Sequence, residues 1–371
     1  MKYYLIAGEA SGDLHGSNLI HQLKILDPQA NIRCWGGDLM QAGGGTLVKH
    51  YKDLAFMGFI EVVKNLPTIL KNLSYCKTDI EGFNPDVIVL IDYPGFNIKI
   101  AEWAKEKNYK VVYYISPQVW AWKEKRVNTI KKTVDLMLVI LPFEKAYYRK
   151  FDYDVDYVGH PLVEVIERYK STLHKAIETD KKIIALLPGS RKQEINKKLP
   201  IMLGVTKSFP EYQFIVAKAP GLSVDFYTPF MQPFSNVSLV SNQTYQLLHQ
   251  ASAALVTSGT ATLETALFGV PEVVCYKGNP ISYAIAKRVI KIKYISLVNL
   301  IMDKPIVKEL IQDELTEENC TTELQALLYN EERRIQLKKD YAELAALLSQ
   351  GGHASANAAK KIYEFTITGN K

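Results

Sequence analysis

The chain has 371 residues, 47% hydrophobic and 23% charged, the balance of a folded globular protein with room for two domains of ordinary size. Its formal net charge of +6 is too mild for a dedicated nucleic-acid binder but favours anionic ligands or an acidic membrane surface. No uninterrupted apolar run reaches the roughly 18 residues of a bilayer span. Cys34, Cys76, Cys275 and Cys320 lie too far apart for a metal cage or redox pair, so unpaired thiols in a reducing cytoplasm are expected.

The first residues run straight into an expected strand, Tyr3 to Ala7, a start from which no signal peptide is expected. Gly8-Glu9-Ala10-Ser11-Gly12-Asp13 follows, then a helix from Leu14 to Leu26 with apolar residues at helical spacing. This loop lacks the spacing of a dinucleotide fingerprint or a P-loop. It makes a backbone-rich pocket in which Glu9 and Asp13 either meet a polar ligand or cap the helix. Phe56 to Leu73 is amphipathic and helical, with Pro67 kinking it or opening a second helix. Its stripe of Phe59, Ile60, Val63, Leu66, Ile69 and Leu70, flanked by Lys64 and Lys71, is either core or an exposed face for a membrane and acyl chains.

Asp86 to Asp92 is a near-continuous apolar run between two acids, the pattern of a parallel strand buried on both faces. Tyr93-Pro94-Gly95 turns the chain into a helix from Ile98 to Lys107, which puts Asp92 at the carboxyl end of its strand, where α/β folds bind ligands. As a base it awaits a proton there; otherwise it caps the turn. Val111 to Ile115 is the next strand, and Gln118 to Lys123 opens a basic helix whose Trp120 and Trp122 either pack or contact a sugar or headgroup. Leu136 to Leu141 and Tyr157 to Pro161 close the first half as strands. The alternating Asp152, Asp154 and Asp156 precede a strand rather than end one, so they read as an exposed edge and not a metal site.

Glu164 to Lys182 is polar and reads as a connector. A second α/β half begins with Ile183 to Leu187 and runs into Pro188-Gly189-Ser190-Arg191, where Arg191 offers a planar fork of donors to a diphosphate or is an ordinary surface cation. Phe214 to Val216, Val237 to Val240 and Ala254 to Thr257 supply further strands, and a helix from Thr262 to Phe268 follows Ser258-Gly259-Thr260. Small hydroxyl and glycine residues at a strand-to-helix turn let backbone N–H groups and the helix dipole meet an anion. They are also ordinary caps. Glu264, on the first turns of that helix, is an acceptor for both hydroxyls of a ribose. Gly269 stops the helix before a strand from Glu272 to Tyr276, and Thr321 to Tyr363 is helical by composition.

The expected architecture is α/β, with two doubly wound Rossmann-like domains facing across a cleft and C-terminal helices. The boundaries are 1–165, 180–345, and 346–371 for a helix crossing back to the first domain. Asp92 on one wall and Arg191, Ser258, Gly259, Thr260 and Glu264 on the other suit transfer from a sugar nucleotide. An arginine and helix-end N–H groups can stabilise a leaving diphosphate without a metal.

Gly8 to Asp13, Ile91-Asp92-Tyr93-Pro94-Gly95-Phe96-Asn97, Ser116-Pro117-Gln118-Val119-Trp120-Ala121-Trp122, Leu141-Pro142-Phe143-Glu144, Leu187-Pro188-Gly189-Ser190-Arg191, Ser258 to Glu264 and Ser296-Leu297-Val298-Asn299-Leu300, taken in this order, resemble the bacterial lipid-A-disaccharide synthase family along nearly the whole chain. The resemblance implies an inverting GT-B glycosyltransferase. It would join UDP-2,3-diacylglucosamine to 2,3-diacylglucosamine 1-phosphate (lipid X), giving a β-1,6 tetraacyl disaccharide 1-phosphate and UDP. No metal or cofactor is implied, nor any nucleic acid. The implied setting is the cytoplasmic surface of the inner membrane, with a homodimer as a further expectation. Carried onto this chain, Asp92 matches the family's general base, Glu9 a nearby essential acid, Arg191 a donor-phosphate contact, and Glu264 and Asn299 the nucleotide side. Many relatives have a second aspartate where this chain has Gly95, which leaves Asp92 to work alone or with Glu9. A UDP-N-acetylglucosamine 2-epimerase-like enzyme shares the expected architecture, and a non-catalytic nucleotide-sugar or lipid-binding module is a third reading.

Overall fold

The computed structural model describes residues 1–54, 66–122, 124–280, 283 and 292–368. Contacts divide the chain into two units: Met1–Pro161 with the segment from Leu348 onward, and Leu162–Leu347. In the first unit β1 (Lys2–Ala7), β2 (Asn31–Gly36), β3 (Thr46–His50), β4 (Val87–Ile91), β5 (Val111–Tyr114), β6 (Leu136–Val139) and β7 (Asp156–Tyr157) form one sheet in the order β3-β2-β1-β4-β5-β6-β7. Every neighbouring pair is parallel.

Parallel strands are covered on both faces, which is why β1 and β4 read as unbroken apolar runs and why alternate residues enter different cores. Tyr4, Ile6, Ile88 and Leu90 pack with Trp35 against the helices Leu66–Phe83 and Pro94–Glu106. Tyr3, Leu5, Val87 and Val89 face Leu19 and Leu23 of the helix Ala10–Leu26 and Ala358 and Ile362 of the last helix, Ala354–Thr368. That last helix belongs to the first unit because Lys361 pairs with Asp156 at 3.0 Å and Asn357 Nδ2 donates to the Val158 carbonyl at 3.2 Å. The approach requires glycine: a Cβ on Gly351 would lie 2.3 Å from the Gly159 nitrogen.

The second unit repeats the plan. β8 (Lys182–Leu187), β9 (Tyr212–Lys218), β10 (Val237–Ser241), β11 (Ala251–Thr257), β12 (Glu272–Tyr276) and β13 (Lys308–Ile311) lie in the order β10-β9-β8-β11-β12-β13, again all parallel. The strand order reverses once in each sheet, at β1/β4 and at β8/β11. The carboxyl ends of those strand pairs are where a doubly wound sheet opens a crevice for ligands.

Two edge strands, β3 and β13, escape the sequence pattern because they are short and mixed in polarity. The stretch read as a connector is a helix as far as Lys170, Pro161–Lys170, opened by a proline at a position where its missing N–H is harmless. Asp152 sits at φ +52° in a turn and Asp156 opens the edge strand β7.

Candidate active site

In the first unit the loops after β1 and β4 flank the strand-order reversal, and they carry Glu9 and Asp92. Asp92 and Tyr93 both adopt left-handed backbone conformations, at φ +45° and +48°, at a cost on the order of 1 kcal/mol each for non-glycine residues. Buried Asn97 holds the turn. Its amide nitrogen donates to the carbonyls of Asp92 at 2.8 Å and Ile91 at 3.2 Å, and the Tyr113 hydroxyl also donates to the Asp92 carbonyl. The Tyr93 ring folds back over Gly8, where a Cβ would come within 2.3 Å of ring carbon, and its hydroxyl donates to the Leu54 carbonyl at 3.2 Å. The Asp92 backbone is thus clamped while its side chain stays half-buried at the strand end. Burial, with the negative charge of Glu9 nearby, pushes the Asp92 carboxyl up to about 7, against a smaller opposing effect from the Tyr93 N–H.

Asp13, in the first turn of the helix Ala10–Leu26 and in the same motif as Glu9, has a structural task. Its carboxylate accepts the backbone N–H groups of Gly37 (2.7 Å), Leu39 (3.1 Å) and Met40 (3.0 Å), capping the short helix Asp38–Ala42. Gly95, by contrast, is open: a Cβ there meets nothing within 4 Å, so the fold has space for a side chain at that position.

In the second unit a pocket of about 320 Å³ forms at β8/β11. It is lined by Gly189, Ser190 and Glu194 on one side and by Thr257, Ser258, Gly259, Thr260 and Glu264 on the other. Gly189 at φ +115° and Gly259 at φ +145° turn each strand into its helix, Lys192–Gly204 and Thr260–Phe268. Two helix starts, whose first N–H groups have no carbonyl within their own helix, therefore meet at one pocket, an arrangement suited to a diphosphate. Ser258 Oγ donates to the Ile295 carbonyl at 2.8 Å, so it fixes the loop rather than offering its proton to a ligand. Glu264 Oε1 accepts from the Tyr245 hydroxyl at 2.9 Å; burial raises its carboxyl above the ordinary range, and that hydrogen bond opposes the rise. Arg191 stands at the N-cap of the helix Lys192–Gly204, with Nη1 3.4 Å from Glu194 Oε1.

Asn299 stands apart from these residues. It does not line this pocket, and its buried amide is occupied: Nδ2 donates to the Val307 carbonyl (2.8 Å) and Glu309 Oε1 (2.9 Å), and Oδ1 accepts from Val307 N (2.9 Å). Glu309 in turn accepts from Ile295 N and Ser296 N. Asn299 thus supports, through Glu309, the loop that Ser258 grips.

The apolar stripe also divides. Ile69, Leu73, Cys76 and Ile80 recur on the face packed against the core, whereas Leu66 and Leu70 are 50% and 55% exposed. Phe59, Ile60 and Val63 lie outside the described residues. Sequence reading passed over Glu144 as a site. Its fully buried carboxylate accepts from Leu141 N (2.9 Å) and Trp120 Nε1 (3.3 Å) beside the Ser116–Tyr148 hydroxyl pair (2.6 Å), and burial pushes it up to about 7. This ties Leu141-Pro142-Phe143-Glu144 to the Ser116–Trp122 segment. Among the described residues no group of three or more His, Cys, Asp or Glu side chains is placed to hold a metal ion, and no helix is long and apolar enough to cross a membrane.

Two successive parallel α/β units, each with its crevice at the strand-order reversal, define the GT-B class of fold. UDP-GlcNAc 2-epimerase from Neisseria meningitidis, solved bound to UDP-GlcNAc, superposes with a TM-score of 0.66 over 99% of this chain and 100% of its own at 15% identity. The glycotransferase of kitacinnamycin does so with a TM-score of 0.65 over 98% of each chain at 14% identity. These likenesses show the fold. The chain belongs to the lipid-A-disaccharide synthetase family, whose sequence model matches residues 3–363. A lipid-A-disaccharide synthase of Coxiella burnetii is 38% identical over 372 residues, 98% of each chain, and that of Syntrophus aciditrophicus is 38% identical over 95% of each.

Proposed function

We propose that the chain transfers 2,3-diacylglucosamine from its UDP conjugate to the 6-hydroxyl of 2,3-diacylglucosamine 1-phosphate, with inversion, at the inner-membrane surface. Family membership carries the reaction class: a hexosyltransferase of lipid A disaccharide synthesis with the GT-B fold. The observation supporting the residue assignment is the Asp92 carboxyl, held at a clamped strand end and pushed to about 7 by burial and Glu9. A base with that proton affinity is half-ionised at neutral pH and gains driving force to take a hydroxyl proton. In this reading Asp92 accepts the proton of the acceptor 6-hydroxyl as that oxygen attacks the sugar carbon, and Glu9 keeps Asp92 basic.

The donor belongs to the second unit. The diphosphate sits on the paired helix starts at Gly189 and Gly259, Arg191 neutralises charge as UDP leaves, and the free oxygen of Glu264 accepts from the ribose. Leu66 and Leu70, beside exposed Lys71, contact lipid. The test is incubation with both acylated glucosamine substrates: release of UDP with formation of a β-1,6 disaccharide is expected from the wild type. Release of UDP without a disaccharide, or return of the donor with its sugar epimerised, would overturn the reading.

A further inference from the structure

Glu194 is out of place in a pocket for a diphosphate. It lines the pocket in the first turn of the helix Lys192–Gly204, so close to the loop after β8 that a Cβ on Gly189 would lie 2.8 Å from its Oε2. A bare carboxylate there would repel an incoming anion. Two cations offset it. Arg191 Nη1 lies 3.4 Å from Oε1, and Lys198 Nζ lies 3.9 Å from Oε2, one helical turn further on. Lys198 is the unusual member: its side chain is only 2% exposed, within electrostatic reach of Cys275, whereas Arg191 is largely in solvent. Burying an ammonium is costly unless a partner compensates it, and Glu194 is the carboxylate within reach.

This geometry supports a division of labour that rests on the donor-site reading above. We propose that Lys198 is a positioning residue for donor binding: it holds the charge of Glu194 when Arg191 leaves that carboxylate for the donor diphosphate, so the pocket accepts the anion without stranding an unpaired negative charge beside it. Glu194 pairs with Arg191 beside the pocket in the empty enzyme, and Lys198 compensates Glu194 when that pairing is given up. Desolvation lowers the Lys198 ammonium to about 8, and the charge of Glu194 partly opposes that fall.

The experiment is a double-mutant cycle on UDP binding by calorimetry, with steady-state constants for both substrates. Lys198→Met puts an apolar side chain of similar length in a buried position, so it is expected to fold, with circular dichroism and melting as the check. It should weaken UDP binding roughly tenfold, the scale of one charge-assisted contact, and raise the donor KM in step while leaving the acceptor KM unchanged. Lys198→Arg should recover most of the affinity. In a Glu194→Gln background, where no carboxylate needs holding, Lys198→Met should cost little. Unchanged UDP affinity in Lys198→Met, or an equal loss in both backgrounds, would overturn the proposal. A wild type that fails to bind UDP at all would overturn the donor-site reading and this proposal with it.

Discussion

The two units share one plan and differ in what they place at its opening. Each sheet reverses strand order once, and each crevice is framed by a loop after the first strand and a loop after the fourth. In the first unit those loops carry Glu9 and Asp92, and the turn is held by Asn97, Tyr113 and a tyrosine ring packed on Gly8. In the second they carry Gly189 and Gly259, two helix starts and Arg191. Like charges near one another in partial burial raise proton affinity, which suits a base; oriented N–H groups and a guanidinium suit a polyanion. Under the proposed function, one topology serves proton transfer in one half and diphosphate binding in the other. The difference lies in a few side chains at strand ends.

Substitutions that separate the two crevices test that contrast. The largest effect is expected at Asp92. Asp92→Asn keeps the shape and removes the base, so kcat should fall by roughly 10²- to 10⁴-fold while UDP affinity, measured by calorimetry, stays at the wild-type value. Near-normal turnover in the folded variant would move the base elsewhere, with Glu9 as the first candidate. Next comes Arg191→Ala, which should lower kcat/KM by about 10²- to 10³-fold and weaken UDP binding as well. Arg191→Lys should recover only part of it, because an ammonium lacks the planar fork; full recovery would argue against a bidentate phosphate contact. The smallest effect on the chemistry is expected at the exposed pair on the helix Leu66–Phe83. Leu66→Ser with Leu70→Ser should leave the melting temperature nearly unchanged while lowering vesicle binding and turnover of acylated substrates. Ile69→Ser, on the inner face, should instead lower the melting temperature.

That last pair shows where the sequence stops being informative. Helical spacing marks residues 66, 69 and 70 equally as apolar, but Ile69 turns to the core and Leu66 and Leu70 do not. Only the packing of this helix against the sheet separates them. The sheet itself was legible, because β1, β4, β8 and β11 are short apolar runs bounded by turn residues, and strand alternating with helix implies parallel pairing. The ends of those strands were legible for the same reason, which is how Asp92 and Arg191 stand out. Asn97, Glu144 and Lys198 were not legible as supports, since a polar residue on a helix looks solvent-exposed until the fold buries it beside partners. Asn299 shows the converse: its motif was recognisable, but the hydrogen bonds that occupy its amide come from Val307 and Glu309.

The central claim is that the acidic crevice of the first unit makes Asp92 a base near neutrality. The direct measurement is the pH dependence of kcat/KM for the wild type and Glu9→Gln, which reports ionisations of the free enzyme. A base must be unprotonated to act, so the rate should fall as pH drops through about 7, the value to which burial and Glu9 raise Asp92. Removing the charge of Glu9 should shift that limb to lower pH. Because burial is the larger cause, it should still lie above the ordinary aspartate range. A wild-type profile flat down to about pH 5, or a limb that stays in place in Glu9→Gln, would contradict the account.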